Sequence, residues 1–320
     1  MRAVILGGTG FIGTALSGFL LDKGWMVTVP SRSPEKGRFI VPKGHSLNIS
    51  FVPWNGTDPQ LLIKHLSGCT ALVNLVGENI AAGRWTEERK ERILASRVNT
   101  GKAIMTAFKE MQSLSEPLPQ VLVQASAVGY YGSSEQLKSP SDYEEFAPHG
   151  KGFLAAVARQ WEDSTAGAES MGVRRVIVRT GVVLGPGGAL QKFIPPFRMF
   201  LGGRLGSGNQ GFSWIHRDDA AMAIAHLIEN ESCAGPYNLT APDPKSMSDF
   251  CRVLGAAMSR PSWLPVPRFA LRLLLGEMAE ELILQGQYAM PARLTASGYT
   301  FAYPNLAGAL RQILQPPVKS

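Results

Sequence analysis

The sequence predicts an α/β protein: a doubly wound parallel sheet with helices on both faces and a smaller C-terminal subdomain. Three observations carry that expectation. Short apolar runs alternate with helix-period stretches from Arg2 to Arg179, the pattern of strands joined by crossover helices. Runs such as Thr70 to Gly77 are continuously apolar, as strands buried on both faces are. The first run passes through a glycine-rich bend directly into a helical pattern.

In chain order, Arg2-Ala3-Val4-Ile5-Leu6 reads as the first strand. Ala15, Leu16, Phe19 and Leu20 mark the first helix, which ends at Asp22-Lys23-Gly24. Further strands are expected at Trp25–Val29, Ser50–Trp54, Thr70–Gly77, Gln120–Ala125 and Arg174–Arg179. Helices are expected at Leu61–Leu66, Glu87–Glu110 and Phe153–Glu169. The second half is less regular. Residues 185–211 are rich in Gly and Pro, and Gly202 to Gly208 lacks the Gly-Lys-Ser/Thr ending of a phosphate loop, so it reads as a mobile loop on the substrate side. Trp214–His216 reads as a strand with His216 orienting the corner, Asp218 as the cap of a helix over Asp219–Glu229, and Tyr237–Leu239 as a strand. Amphipathic helices follow from Ser246, including one over Phe269–Leu284, and a helix over Leu306–Leu314 closes the chain. The expected division is 1–184, with 212–240 in the same sheet, against a substrate-side subdomain of 185–211 and 241–320.

The bulk numbers fit an ordinary globular chain: 320 residues, 45% hydrophobic and 18% charged, net charge +7. No block of Lys and Arg with interleaved aromatics supports nucleic-acid binding. Cys69, Cys233 and Cys251 are isolated and lack metal spacing, as do the five histidines. They read as buried free thiols of a reducing compartment, so a cytoplasmic protein is expected. No apolar run reaches membrane-spanning length. The opening residues resemble a signal peptide only until the glycines interrupt them, and no targeting segment is expected. The expected state is a monomer or homodimer.

The glycine bend carries the chemistry. Gly7, Gly10 and Gly13 repeat at a spacing of three between a strand and a helix. Gly7 permits the sharp turn, Gly10 leaves room for a pyrophosphate against the backbone, and Gly13 lets helix and strand pack closely. The helix start offers free N–H groups and a positive dipole end. A dinucleotide is therefore expected. After the second strand, where an acid would take the ribose hydroxyls of NAD, the sequence reads Pro30-Ser31-Arg32-Ser33. A hydroxyl and a guanidinium suit a 2′-phosphate, with Lys36 and Arg38 close behind, so NADP(H) is favoured over NAD. The plain alternative for Arg32 is a surface arginine. Asn55 is placed to meet the adenine. Leu75-Val76-Gly77 should run under the cofactor, with Glu78 and Asn79 projecting into the cleft.

Several stretches in order, namely Gly7 to Gly13, Tyr131-Gly132, Arg179 to Pro186 and Trp214 to Asp219, resemble the extended short-chain dehydrogenase/reductases. Asn74 to Asn79, Ser126 to Gly132, Phe153-Leu154-Ala155, Trp161-Glu162 and Leu284 to Gln287 resemble one atypical branch, the epimerase family, also labelled cell-division-inhibitor-like. The resemblance covers the whole chain. It implies a Rossmann-type fold and cofactor contacts from Gly7, Thr9, Gly10, Phe11, Ile12, Gly13, Ser31, Arg32, Asn55, Leu75, Val76, Gly77, Arg97, Ser126 and Val183.

These enzymes act through a Tyr-x-x-x-Lys pair, one helical turn apart, that moves a proton as hydride moves. Here none of the seven tyrosines is followed four positions later by Lys, and the expected pair falls near Leu154 and Ala158. Ser126 is the candidate companion serine. Tyr130 follows the fifth strand and Glu78 the fourth, and each is a candidate replacement. Their plainer readings are an aromatic packing residue and a carboxylate tied to a nearby arginine. Lys151 lies too early in the chain. Two functions remain: an NADP(H)-dependent oxidoreductase or epimerase acting on a small substrate, nucleotide-linked or not, or a non-catalytic NADPH-responsive binding protein.

Overall fold

The computed structural model describes residues 1–37, 47–132 and 143–315, so Arg38 lies outside the described residues. In chain order the elements are β1 (Arg2–Leu6), α1 (Phe11–Asp22), β2 (Met26–Ser31), α2 (Pro34–Gly37), β3 (Ile49–Pro53), α3 (Pro59–Leu66), β4 (Ala71–Asn74), α4 (Glu87–Ser113), β5 (Val121–Ala127), α5 (Phe153–Asp163) and β6 (Arg174–Thr180). The second half adds β7 (Val182–Gly185), β8 (Gly187–Gly188), α6 (Leu190–Arg198), β9 (Gly211–Phe212), β10 (Trp214–His216), α7 (Arg217–Glu229), β11 (Gly235–Leu239), β12 (Lys245–Ser246), α8 (Met247–Ala257), α9 (Arg268–Leu275), α10 (Glu277–Leu282), α11 (Ala292–Ala296) and α12 (Leu306–Leu314).

Seven strands form one parallel sheet in the order β11-β6-β5-β4-β1-β2-β3. Order reverses between β1 and β4, and ligands of open α/β sheets bind at such a switch point. The apolar runs are buried because both faces are covered. Ala3, Ile5, Val27, Val123 and Val178 pack with Leu16, Leu20, Ile224 and Leu227 on one face. Val4, Leu6, Leu72 and Leu122 pack with Leu62, Ile104 and Phe108 on the other. A third apolar cluster joins Leu184, Phe197, Trp214, Phe250 and Leu310 in the second half.

Four expectations are corrected. Within 212–240 only β11 joins the main sheet. β10 pairs with β7 in a separate three-stranded sheet. The chain changes sheets at Gly181, whose N–H bonds Leu239 O while the next residue, Val182, bonds Ser213 O. A Cβ at Gly181 would lie 2.7 Å from Ser213 O, so the crossing requires glycine. Helix α7 starts at Arg217 and is capped by the His216 side chain, not by Asp218: Asp218 N–H donates to His216 Nδ1 at 3.1 Å. The stretch Phe269–Leu284 is two short helices broken at Gly276, which has φ +62°. The Phe153–Glu169 helix ends at Asp163 and is followed by a 3-10 turn over Ala166–Met171.

The Gly202–Gly208 stretch is tied down. Leu205 packs in an apolar cluster with Leu271 and Leu284, and Gly206 N–H bonds Val266 O. Among the described residues no helix is long and apolar enough to cross a membrane.

Candidate functional site

The bend after β1 is as tight as its glycines allow. Gly7 has φ +79°, and a Cβ there would lie 2.9 Å from the Leu75 carbonyl carbon. A Cβ on Gly13 would lie 2.4 Å from Gly7 O and 2.6 Å from Gly8 Cα. At Gly10 the nearest atom to a Cβ is Gly7 O at 3.1 Å, so the space beyond Gly10 is open. Gly10 caps α1 without a side-chain hydrogen bond, leaving the first N–H groups of the helix for a ligand. Gly8, with no role assigned from sequence, packs where a Cβ would strike Val29 at 2.8 Å.

A cleft of about 640 Å³ opens above this bend. Gly7, Thr9 and Gly10 form its floor. Ser31, Arg32 and Asn55 line it from β2 and the end of β3, and Leu75, Val76, Gly77 and Glu78 line it from the end of β4. The chain turns off β4 because buried Asn74 accepts the Val76 N–H at 3.2 Å while donating to Gln124 Oε1 at 3.0 Å. Arg32 is exposed and has no hydrogen bond or ion pair among the described residues. Ser31 Oγ accepts the Ser33 N–H at 3.1 Å. Asn55 lines the cleft, but its Oδ1 accepts the N–H groups of Thr57 and Asp58, so only its amide NH₂ is left to offer.

For other expected contacts the side chains pack away from the cleft, while the N–H groups of Phe11 and Ile12 belong to the open start of α1. The Phe11 ring fits against Gly185 and Gly188, where a Cβ would come within 2.9 Å of it, and Arg217 stands over its face at 5.6 Å. It fastens the second half to the start of α1. The Ile12 side chain packs from α1 against the core, and Val183 packs against it from β7. Arg97 is buried beneath the loop after β4. Its guanidinium donates to Ile93 O and Glu78 O and lies 4.8 Å from the Trp161 ring centroid, and burial pushes its pKa down to about 10. Arg97 therefore supports the loop rather than facing the cleft.

Among the three catalytic candidates only Glu78 lines the cleft. Its carboxylate lies 3.7 Å from Arg89 and 3.8 Å from Arg92, and its N–H donates to Ser96 Oγ. Ser126 is buried at the end of β5 and donates its hydroxyl to Glu162 Oε1 at 2.6 Å. It is not a free companion serine. Tyr130 is half-buried, its ring centroid 3.5 Å from the Arg179 guanidinium, and its hydroxyl makes no hydrogen bond among the described residues. Arg179 also binds Glu162 and donates to Tyr131 Oη at 3.2 Å and Glu145 O at 2.8 Å. Tyr131 donates to Asn238 Oδ1 at 2.7 Å, and burial pushes its pKa up to about 12. At the start of α5, near the position expected for the missing pair, Phe153 and Leu154 donate their N–H groups to Glu281, a carboxylate from α10 capping α5.

Sequence reasoning missed Ser96, Thr100, Trp54 and Thr57 on the cleft wall. Ser96 and Thr100 were findable, since they stand one turn apart on a helix entering the cleft. Glu145, Asn238 and Glu281 carry no motif and meet the site only through the tertiary fold.

Sheet order, glycine bend and cleft define a Rossmann-type protein of the short-chain dehydrogenase/reductase kind. The chain belongs to the NAD dependent epimerase/dehydratase family, whose profile matches residues 3–240. A domain of unknown function, DUF1731, matches 266–313. It is 41% identical to the chloroplastic SDR39U1 homolog of Arabidopsis thaliana, over 98% of this chain and 87% of that protein. It is 38% identical to epimerase family protein YfhF of Bacillus subtilis, over 98% of each. Among solved structures it resembles human epimerase family protein SDR39U1 (isoform 2) with NADPH, at 33% identity and TM-score 0.82, over 98% of this chain and 99% of that one.

Proposed function

We propose that the chain binds NADP(H) in the cleft above the β1–α1 bend and acts as an oxidoreductase or epimerase with an atypical active site. The observation that carries the reading is a glycine floor open above Gly10, with Arg32 lacking a partner among the described residues and no carboxylate at the ribose position of β2. The N–H groups at the start of α1 would hold the diphosphate, and Ser31 and Arg32 the 2′-phosphate. Leu75 to Gly77 would form the wall along the cofactor. When bound, the dinucleotide supplies a hydride donor or acceptor. The human relative crystallised with NADPH supports the choice of cofactor.

The candidate for the proton is Tyr130, which stands outside the cleft lining but whose hydroxyl has no hydrogen bond among the described residues, while that of Ser126 is committed to Glu162. Glu78 is held by Arg89 and Arg92 at the cleft wall and suits charge placement better than proton transfer. A small, nucleotide-linked substrate is the class favoured by the resemblance to extended epimerases. Calorimetry with NADPH and NADH tests the binding claim: heat with NADPH and much weaker binding of NADH is expected, and no heat with NADPH overturns it. NADPH oxidation or epimer formation across a substrate panel, lost in Tyr130→Phe, tests the turnover claim.

Two observations favour a second reading. The buried serine and the absence of Lys one turn beyond any tyrosine suit a non-catalytic, NADPH-responsive binding protein. Capture of a partner that depends on NADPH, by a protein inert across the panel, would select it.

A further inference from the structure

Three segments of the second half converge on a separate cavity of about 270 Å³, lined by Arg204, Ser248, Arg252, Ser262, Trp263 and Pro265. Backbone hydrogen bonds build it. Val266 N–H donates to Arg204 O, and Gly206 N–H donates back to Val266 O, each at 2.9 Å, so residues 204–206 lie beside 263–266. Ser248 N–H donates to Gly208 O at 2.9 Å. Gly208 has φ +79°, and a Cβ there would lie 3.0 Å from Ser248 Cβ and 3.3 Å from Arg204 Cδ. A side chain at 208 would therefore crowd both Arg204 and Ser248. Trp263 Nε1–H donates to Phe200 O at 3.0 Å, which fixes an indole that is 66% exposed.

The lining is rich in uncommitted donors. Among the described residues the Arg204 guanidinium and the Ser248 and Ser262 hydroxyls have no hydrogen-bond or ion-pair partner. Arg252 spends one N–H on Asp249 Oδ1 at 3.0 Å and keeps the rest. Asp249, the neighbouring carboxylate, accepts from Ser246 and Arg252 and does not line the cavity. Two guanidiniums and two hydroxyls are the donors a tetrahedral oxyanion takes, and the Trp263 indole on the same lining offers a surface for a flat ring. The volume lies below the ~300 Å³ at which sites for drug-sized ligands begin, so one ring fits and a dinucleotide does not.

We propose that this cavity binds a small phosphomonoester carrying one flat ring, with its phosphate on Arg204, Arg252 and the two serines and its ring against Trp263. The site is independent of the cofactor cleft and shares no lining residue with it.

The test is calorimetric titration of the full chain with phenyl phosphate and with inorganic phosphate, with and without saturating NADPH. Phenyl phosphate is expected to bind more tightly than inorganic phosphate, by about fivefold, and Trp263→Ala should remove that difference. Arg204→Gln with Arg252→Gln should weaken both ligands by about tenfold or more and leave NADPH binding unchanged. Both arginines are exposed, so the variant should fold, and circular dichroism checks that it does. The proposal is overturned by absence of heat with both ligands, by undiminished binding in the double variant, or by displacement of phenyl phosphate by NADPH.

Discussion

Arg179 holds Glu162 with two parallel hydrogen bonds, Nε to Oε1 and Nη2 to Oε2, each 2.9 Å, at the buried ends of β6 and α5. The pair also receives the Ser126 hydroxyl and carries the Tyr130 ring. Removing one partner leaves the other charge buried and unpaired. Arg179→Met is therefore expected to cost about 3–5 kcal/mol in urea unfolding, whereas adding Glu162→Leu should recover most of it. Equal instability of the single and double variants would show that the arginine matters through packing alone.

The glycines of the bend divide by task. Gly13→Ala forces α1 away from Gly7 and Gly8 and should lower stability by about 1–3 kcal/mol. Gly10→Ala meets only Gly7 O at 3.1 Å, so its Tm should move far less while its NADPH affinity falls. Thermal melts and calorimetry on both variants check this. Unchanged NADPH affinity in Gly10→Ala would remove the phosphate from this bend.

Arg32 is exposed and has no partner among the described residues, so its replacement should leave stability unchanged. Arg32→Ala is expected to weaken NADPH binding by about 1–3 kcal/mol and barely alter NADH binding. Equal losses for the two cofactors would refute the 2′-phosphate role.

His216 predicts an acid-side loss of stability. Its Nδ1 accepts the Asp218 N–H, so its Nε2–H is the donor to Gln312 Oε1 at 3.0 Å, and the ring is neutral. Burial pushes its pKa below the usual 6.5, so the unfolded chain takes up a proton more readily than the folded one. The contribution is complete above about pH 6.5 and declines as pH falls through and below that value. Urea midpoints measured from pH 7.5 to pH 5 should fall in the wild type and fall less steeply in His216→Asn. Parallel curves would assign the loss to other groups.

Two thiols should be silent in the native state. Burial pushes Cys69 up to about 11 and Cys251 up to about 12, leaving little thiolate at neutral pH. Ellman's reagent at pH 8 should react with both only after unfolding, and fast native labelling of either would contradict their burial.

The sequence by itself determined the alternating strands and helices, the glycine bend and the absence of an acid after β2. These depend on local periodicity, on backbone freedom at single positions and on residue type at fixed spacing. Only the tertiary structure decided that β10 leaves the main sheet, that His216 caps α7 and that Arg97 lies beneath its loop. It alone brought Ser126, Glu162, Arg179 and Asn238 into one network, and it set Arg204 beside Ser248 and Trp263. Those residues are far apart in the chain, and none has a partner at a fixed spacing. Their contacts come from the packing of separate elements, which local pattern does not encode.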